Sequence, residues 1–75
     1  MYNLGDIMSN IKLTIREAME ARAMNRYQLC KMTGIPYQTL DRYFKDNISR
    51  YDSDVLLKVC VALDCGIEEI IEVVR

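Results

Sequence analysis

The sequence predicts an all-α domain, compact and built of five short helices, with a helix-turn-helix at helices 2 and 3. Three observations carry that expectation. Apolar residues recur at i, i+3 and i+4 along most of the chain, the spacing that gives a helix one buried stripe. Only three of the 75 residues are Gly and one is Pro, while 51% are hydrophobic, so breaks are few and each is informative. Finally, Asn25 to Tyr43 reads N-R-Y-Q-L-C-K-M-T-G-I-P-Y-Q-T-L-D-R-Y. A capped helical pattern, a Gly-centred break and a second helical pattern follow one another there with no room for anything else.

Residues 1–10 (M-Y-N-L-G-D-I-M-S-N) have no helical period and read as an N-terminal arm, leaving residues 11–75 as the domain. Tyr2, Leu4, Ile7 and Met8 give the arm enough apolar surface to dock on the domain or on a second subunit. Helix 1 is expected from about Lys12 to Ala23, with Ile15, Ala18, Met19 and Arg22 on one side. Asn25 suits the N-cap of helix 2 (about Arg26 to Thr33), and Gln28 stands three residues on, where a capping box needs a side chain that reaches back. Leu29, Met32, Ile35 and Leu40 are the expected core contacts of the motif. Gly34 supplies the positive φ at the end of helix 2, and Pro36 starts helix 3 (about Tyr37 to Lys45) with its φ already set. Tyr43, Phe44 and Tyr51 should fill the corner between helices 3 and 4. Asp46 to Tyr51 reads as a turn, and Asp52 as the N-cap of helix 4, with Asp54 favourably placed against the helix dipole. Val55, Leu56, Val59, Cys60, Ala62 and Leu63 make helix 4 apolar over a broad face, so it should be the most buried helix. Asp64-Cys65-Gly66 breaks the pattern. Ile67 to Val74 then suits a short fifth helix by its acidic start and spacing, although its β-branched residues also fit a C-terminal strand.

Composition narrows the function. There is no His, and Cys30, Cys60 and Cys65 make no C-x-x-C pair, so a zinc site lacks ligands and the cysteines read as small apolar residues in a reducing compartment. Without His, a phosphate loop or a nucleophile elbow, an enzyme is a poor fit. No apolar run has the length of a membrane span and no leader pattern opens the chain, which points to a soluble cytoplasmic protein. The net charge is −1, but it is polarised. Residues 1–50 carry eight Lys/Arg against five Asp/Glu, and residues 51–75 carry two against six. The positive part therefore holds the helix-turn-helix and the loop after it.

Three stretches together resemble the phage-repressor class of helix-turn-helix regulators, the lambda repressor and Cro families. They are the motif itself, the loop K-D-N-I-S-R-Y-D-S-D, and V-L-L-K-V-C-V-A-L-D-C-G-I-E-E-I-I. The last is similar to the L-x-K-I-x-x-A-L-x-C-x-x-x-D-L pattern of small bacterial and mobile-element regulators, and the resemblance covers roughly Ile11 to Val74. It departs at four positions. Ala23 and Asp46 stand where the family commonly has Gly, which asks for left-handed backbone at a cost of about 1 kcal/mol or for an altered loop. Pro36 replaces the usual Ser or Thr cap, and Arg26 the usual Gln.

The resemblance implies that the start of helix 3 enters the major groove of double-stranded DNA, with Tyr37, Gln38, Asp41 and Arg42 at the base edges. Side-chain chemistry agrees. Gln pairs with adenine through a donor and an acceptor, Arg grips guanine O6 and N7, a Tyr ring covers a thymine methyl, and Asp accepts from cytosine N4. Asp41 has an equally ordinary alternative, pairing with Arg42 or Lys45 on the helix surface. Arg26, Thr39, Lys45, Asn47, Ser49 and Arg50 flank the groove as phosphate contacts that set register. Tyr27 sits where a backbone contact is open to it. Lys12, Arg16, Lys31 and Lys58 read as solvated surface. So small a domain makes few base contacts, and a homodimer on two half-sites is the usual remedy, with no cofactor. The expectation is a sequence-specific transcriptional regulator, a repressor, of bacterial or phage context. A protein-interaction module on the same fold, an anti-repressor or antitoxin-like binder, is the alternative that the low net charge and acidic C-terminal part motivate.

Overall fold

In a computed structural model that describes residues 10–74, the chain runs β1 (Asn10–Leu13), α1 (Ile15–Ala21), α2 (Arg26–Thr33), α3 (Tyr37–Phe44), α4 (Ser53–Leu63), a 3-10 turn (Ile67–Glu69) and β2 (Ile71–Val74). β1 and β2 form an antiparallel pair, with Ile11 opposite Val73 and Leu13 opposite Ile71. α2 lies against both α3 and α4, and α1 reaches α3. Leu13, Ile15, Met19, Leu29, Ile35, Leu40, Tyr43, Val59, Leu63 and Ile70 meet in one core.

The helix ends are where sequence dictates geometry most directly. Asn25 and Gln28 form the full capping box: the Gln28 N–H donates to Asn25 Oδ1 and the Asn25 N–H to Gln28 Oε1, each at 2.8 Å. Gly34 closes α2 with φ 76°, its N–H on the Cys30 carbonyl at 2.8 Å. Ala23, Asp46 and Asp64 take left-handed backbone at the ends of α1, α3 and α4, with φ of 52°, 57° and 53°. The chain thus keeps the left-handed turns at Ala23 and Asp46 without Gly's freedom. Asp46 gains something for it, because its Oδ1 accepts the Leu13 N–H at 3.2 Å and ties β1 to the end of α3. Asp52 caps α4 by accepting the Asp54 N–H at 2.8 Å, and its own N–H donates to the hydroxyl of buried Tyr43 at 2.8 Å.

Four expectations need correction. Helix 1 does not begin at Lys12, because Asn10–Leu13 is strand and α1 starts at Ile15. The fifth helix is a single 3-10 turn followed by β2, so the strand alternative for this β-branched stretch is the one realised. Met32 is not core: it is 58% exposed at the end of α2. α4 fully buries only Val59 and Leu63, while Leu57 and Val61 face outward, away from the side that packs against α2 and the 3-10 turn. The expected arm over residues 1–10 lies outside the described residues except Asn10, which opens β1.

Arg22, on the buried side of α1, turns its charge to structural use. Its Nε donates to the Leu63 carbonyl at 2.9 Å, one terminal nitrogen to the Ala18 carbonyl at 2.8 Å, and the other to Glu69 Oε2 at 3.0 Å. Carbonyls in the last turns of two helices, left without intrahelical partners, are satisfied by one guanidinium. Thr14 ties the other end of α1 to the same turn, through its N–H on the Ile70 carbonyl at 2.8 Å and its hydroxyl on the Glu69 carbonyl at 2.9 Å.

Candidate nucleic-acid interface

α3 is anchored by Leu40 and Tyr43, both essentially without solvent exposure, which turns the polar residues between them outward. Gln38 and Arg42, one helical turn apart, are exposed, while Tyr37, Thr39 and Asp41 are half-buried at the edges of the same face. Pro36 precedes the helix with φ −57° and offers no side-chain cap. The first N–H groups of α3 therefore have no side-chain acceptor and are available to an anion.

The structure divides the expected contact residues into two groups. The first surrounds a shallow cleft of about 330 Å³ between α3, the loop after it and the start of α4, lined by Thr39, Arg42, Tyr43, Ile48, Ser49, Arg50, Asp52 and Val55. Here a candidate base reader, Arg42, lies beside three candidate phosphate contacts. Asn47 belongs to the same loop, is exposed, and donates its N–H to the Arg42 carbonyl at 2.8 Å, closing the end of the helix.

The second group sits where α2 crosses α3. Arg26 hydrogen-bonds Asp41 as an ion pair, and Lys45 Nζ reaches the other carboxylate oxygen of Asp41 at 3.0 Å. The Arg26 guanidinium lies 4.5 Å from the Phe44 ring centroid and 5.7 Å from that of Tyr37. Tyr37 in turn stacks on Tyr27, with centroids 4.8 Å apart and planes inclined by 23°. The hydrogen bond from Lys45, and then that from Arg26, holds the Asp41 carboxyl below the usual carboxylate range. Asp41 thus has the surface partner foreseen in Lys45, with Arg26 as a second. Arg26, half-buried, and Lys45, exposed, thus share one acid at the site.

Sequence reasoning missed several of these relations. Phe44 does not fill the α3–α4 corner; that space goes to Tyr43 and Tyr51, whose centroids are 6.4 Å apart. Phe44 instead lies under Arg26 and under Arg16, the latter 4.8 Å from its centroid. Arg16 is therefore attached to the edge of the site, although as an isolated cation it read only as solvated surface. The stacked pair Tyr27 and Tyr37 joins the two helix starts, and an aromatic within the first two residues of each helix was the available signal.

The cysteines stand apart from this surface. Cys30, Cys60 and Cys65 are free and half-buried, and burial pushes each thiol up. No helix among the described residues is long and apolar enough to cross a membrane.

The family described as the Cro/C1-type HTH DNA-binding domain matches residues 14–75. Among solved structures, the chain is similar to a crystal structure of a candidate DNA-binding protein from Bacteroides fragilis. The two share 19% identity at a TM-score of 0.73, over 84% of this chain and 100% of that one, a likeness of fold. No curated protein matches.

Proposed function

This chain belongs to the Cro/C1-type helix-turn-helix DNA-binding family, and from that premise we propose that it is a sequence-specific transcriptional repressor. It acts as a homodimer on paired half-sites in the cytoplasm of a bacterium or its phage. In this reading the start of α3 lies in the major groove, with Gln38 and Arg42 reading base edges and Tyr37 covering a thymine methyl. Thr39, Asn47, Ser49 and Arg50 hold the phosphates on one flank, and Arg26 and Lys45 those on the other. Asp41 contributes by setting the positions of these two cations more than by accepting from a base, because both of its oxygens already have partners.

One observation carries the reading. Arg42 and Gln38 project from the anchored helix, and the Arg42 side borders a cleft whose walls include Thr39, Ser49 and Arg50, with Asp52 at its α4 end. Groups suited to bases and groups suited to phosphates thus share one continuous surface. Selection of bound duplexes from a random library at low salt tests it directly. A two-fold consensus, with affinity falling steeply as salt rises, is the expected result. No duplex binding even at low salt would leave the protein-interaction alternative in its place.

A further inference from the structure

We propose that Cys60 and Cys65 are a dithiol pair that closes reversibly into a disulfide, a redox-sensitive clamp on the C-terminal end of α4. The clamp rests on the geometry of that helix end and is independent of what the candidate DNA surface binds.

Backbone geometry brings the two residues together. Asp64 takes left-handed backbone just past the last residue of α4, and two hydrogen bonds close the helix around it. The Cys65 N–H donates to the Cys60 carbonyl at 3.0 Å, and the Asp64 N–H to the Val61 carbonyl at 3.2 Å. These are the two bonds of a Schellman motif, in which the side chains at the first and last positions commonly meet in an apolar contact. At the end of α4 both of those positions are Cys. The two thiols are near enough to share a hydrogen bond, both are half-buried against the core, and both are free. Residues joined by a backbone hydrogen bond lie within reach of a disulfide, which spans Cα atoms roughly 4.4–6.8 Å apart. The motif thus already holds together the two ends that oxidation has to join. Cys30, on α2, stands outside the pair, since no three His, Cys, Asp or Glu side chains cluster for a metal among the described residues. Two thiols also fall short of the four ligands of a structural zinc site.

The oxidant is a small disulfide of the glutathione class. One protein thiol, as its thiolate, attacks that disulfide, forming a mixed disulfide and releasing one glutathione thiol. The second protein thiol then gives up its proton and attacks the protein sulfur of the mixed disulfide, releasing the other glutathione thiol. In total the pair loses two electrons and two protons, and one glutathione disulfide becomes two thiols. Burial above all pushes both cysteines up, and Glu68 near Cys60 and Glu69 near Cys65 add to it, so the first attack is slow. The second is fast, because the partner thiol is already in place. The bond it forms closes a short loop at a junction of three elements, where the Leu63 carbonyl accepts from Arg22 of α1 and Arg22 pairs with Glu69 of the 3-10 turn. Constraining the unfolded chain in this way stabilises the folded one.

Folded wild type held in glutathione buffers of increasing disulfide content, then alkylated and mapped by peptide mass, tests the proposal. Alkylation should find three free thiols in the reduced protein and, in the oxidised protein, only that of Cys30, with Cys60 joined to Cys65 within one chain. The oxidised form should melt at a higher temperature, and a reducing thiol should restore the original melt. Cys60→Ala and Cys65→Ala should each abolish both the bond and the shift, whereas Cys30→Ser should keep both. Should either Ala variant not fold, Cys30→Ser decides, because it contains only the two thiols in question. Retention of all free thiols in excess glutathione disulfide overturns the pairing. So does an oxidised product made only of glutathione adducts, of bonds to Cys30 or of bonds between chains. A Cys60–Cys65 bond that leaves the melt unchanged or lowers it overturns the clamp.

Discussion

Arg26 at the start of α2 and Asp41 within α3 form an ion pair across the helix-turn-helix, and Lys45 completes it from the other side of the carboxylate. The two cations proposed to meet phosphate therefore hold a competing anion between them. Asp41→Asn should release both cations, raising affinity for unrelated duplexes several-fold and steepening the salt dependence. Each added phosphate contact contributes a slope of about 0.9 in log affinity against log salt. Titrations at several salt concentrations measure this, and an unchanged slope would show that the two cations engage phosphate with the pair intact.

The same pair gives a pH prediction. Hydrogen bonds from Lys45 and Arg26 lower the Asp41 carboxyl pKa in the folded state. A depressed folded-state pKa means the contribution to stability is complete above the unfolded value, about 3.9 for Asp, and is lost as pH falls through the lower folded value. Asp41→Asn should thus cost stability at neutral pH and flatten this part of the acid limb. Thermal melts from pH 7 down to pH 2 would reveal an unchanged acid limb if Asp41 were not involved.

Base readers and phosphate holders should separate on mutation. Gln38→Ala and Arg42→Ala should each relax preference at one operator position, at about 1–3 kcal/mol of discrimination. Arg50→Ala should weaken all sequences alike and lower the salt slope by about 0.9. Binding to a panel of single-base operator variants distinguishes them, and indistinguishable profiles for the two kinds of change would defeat the assignment of sides.

What the sequence disclosed follows the range of the contacts involved. The capping box of Asn25 and Gln28 spans three residues, and the Asp52 cap spans two, so a local reading suffices for both. The left-handed residue at the end of α3 was legible from the position of Asp46, but its bond to Leu13 was not, because the partner lies 33 residues away. β1 was lost for the same reason: Ile11 and Leu13 sit beside strong helix formers, and the strand that decides their conformation arrives only at Ile71 to Val74. Arg26 and Asp41, 15 residues apart, were each placed on the correct helix, yet nothing local shows that the helix crossing brings them together. Met32 fits the apolar period of α2 but is left exposed in an open groove that it shares with Leu57 and Val61 of α4.

The three left-handed non-Gly residues predict unequal responses to Gly. At Ala23, which is exposed and makes no side-chain bond, Ala23→Gly should stabilise by about 1 kcal/mol, because the left-handed conformation costs an L-residue about that much. At Asp46 the same relief is offset by loss of the acceptor for the Leu13 N–H, about 1 kcal/mol, so Asp46→Gly should be near neutral or destabilising. Denaturant midpoints compare the two, and equal stabilisation would show that the Asp46 carboxylate does not hold β1.

Arg22 bonds to Ala18, Leu63 and Glu69 and to no residue of the candidate DNA surface, so its removal should affect stability and leave recognition intact. Its guanidinium serves the Ala18 and Leu63 carbonyls and pairs with Glu69, joining α1, α4 and the 3-10 turn. Arg22→Met keeps much of the stem's packing and leaves those carbonyls to water, so the loss should be about 1–3 kcal/mol. Glu69→Gln, which leaves the two carbonyl bonds in place and alters only a largely exposed ion pair, should cost no more than about 1 kcal/mol. A larger loss for the Glu69 variant than for the Arg22 variant would place the weight on the ion pair instead of on the helix ends. With unchanged binding per folded molecule, a stability-only role for Arg22 follows.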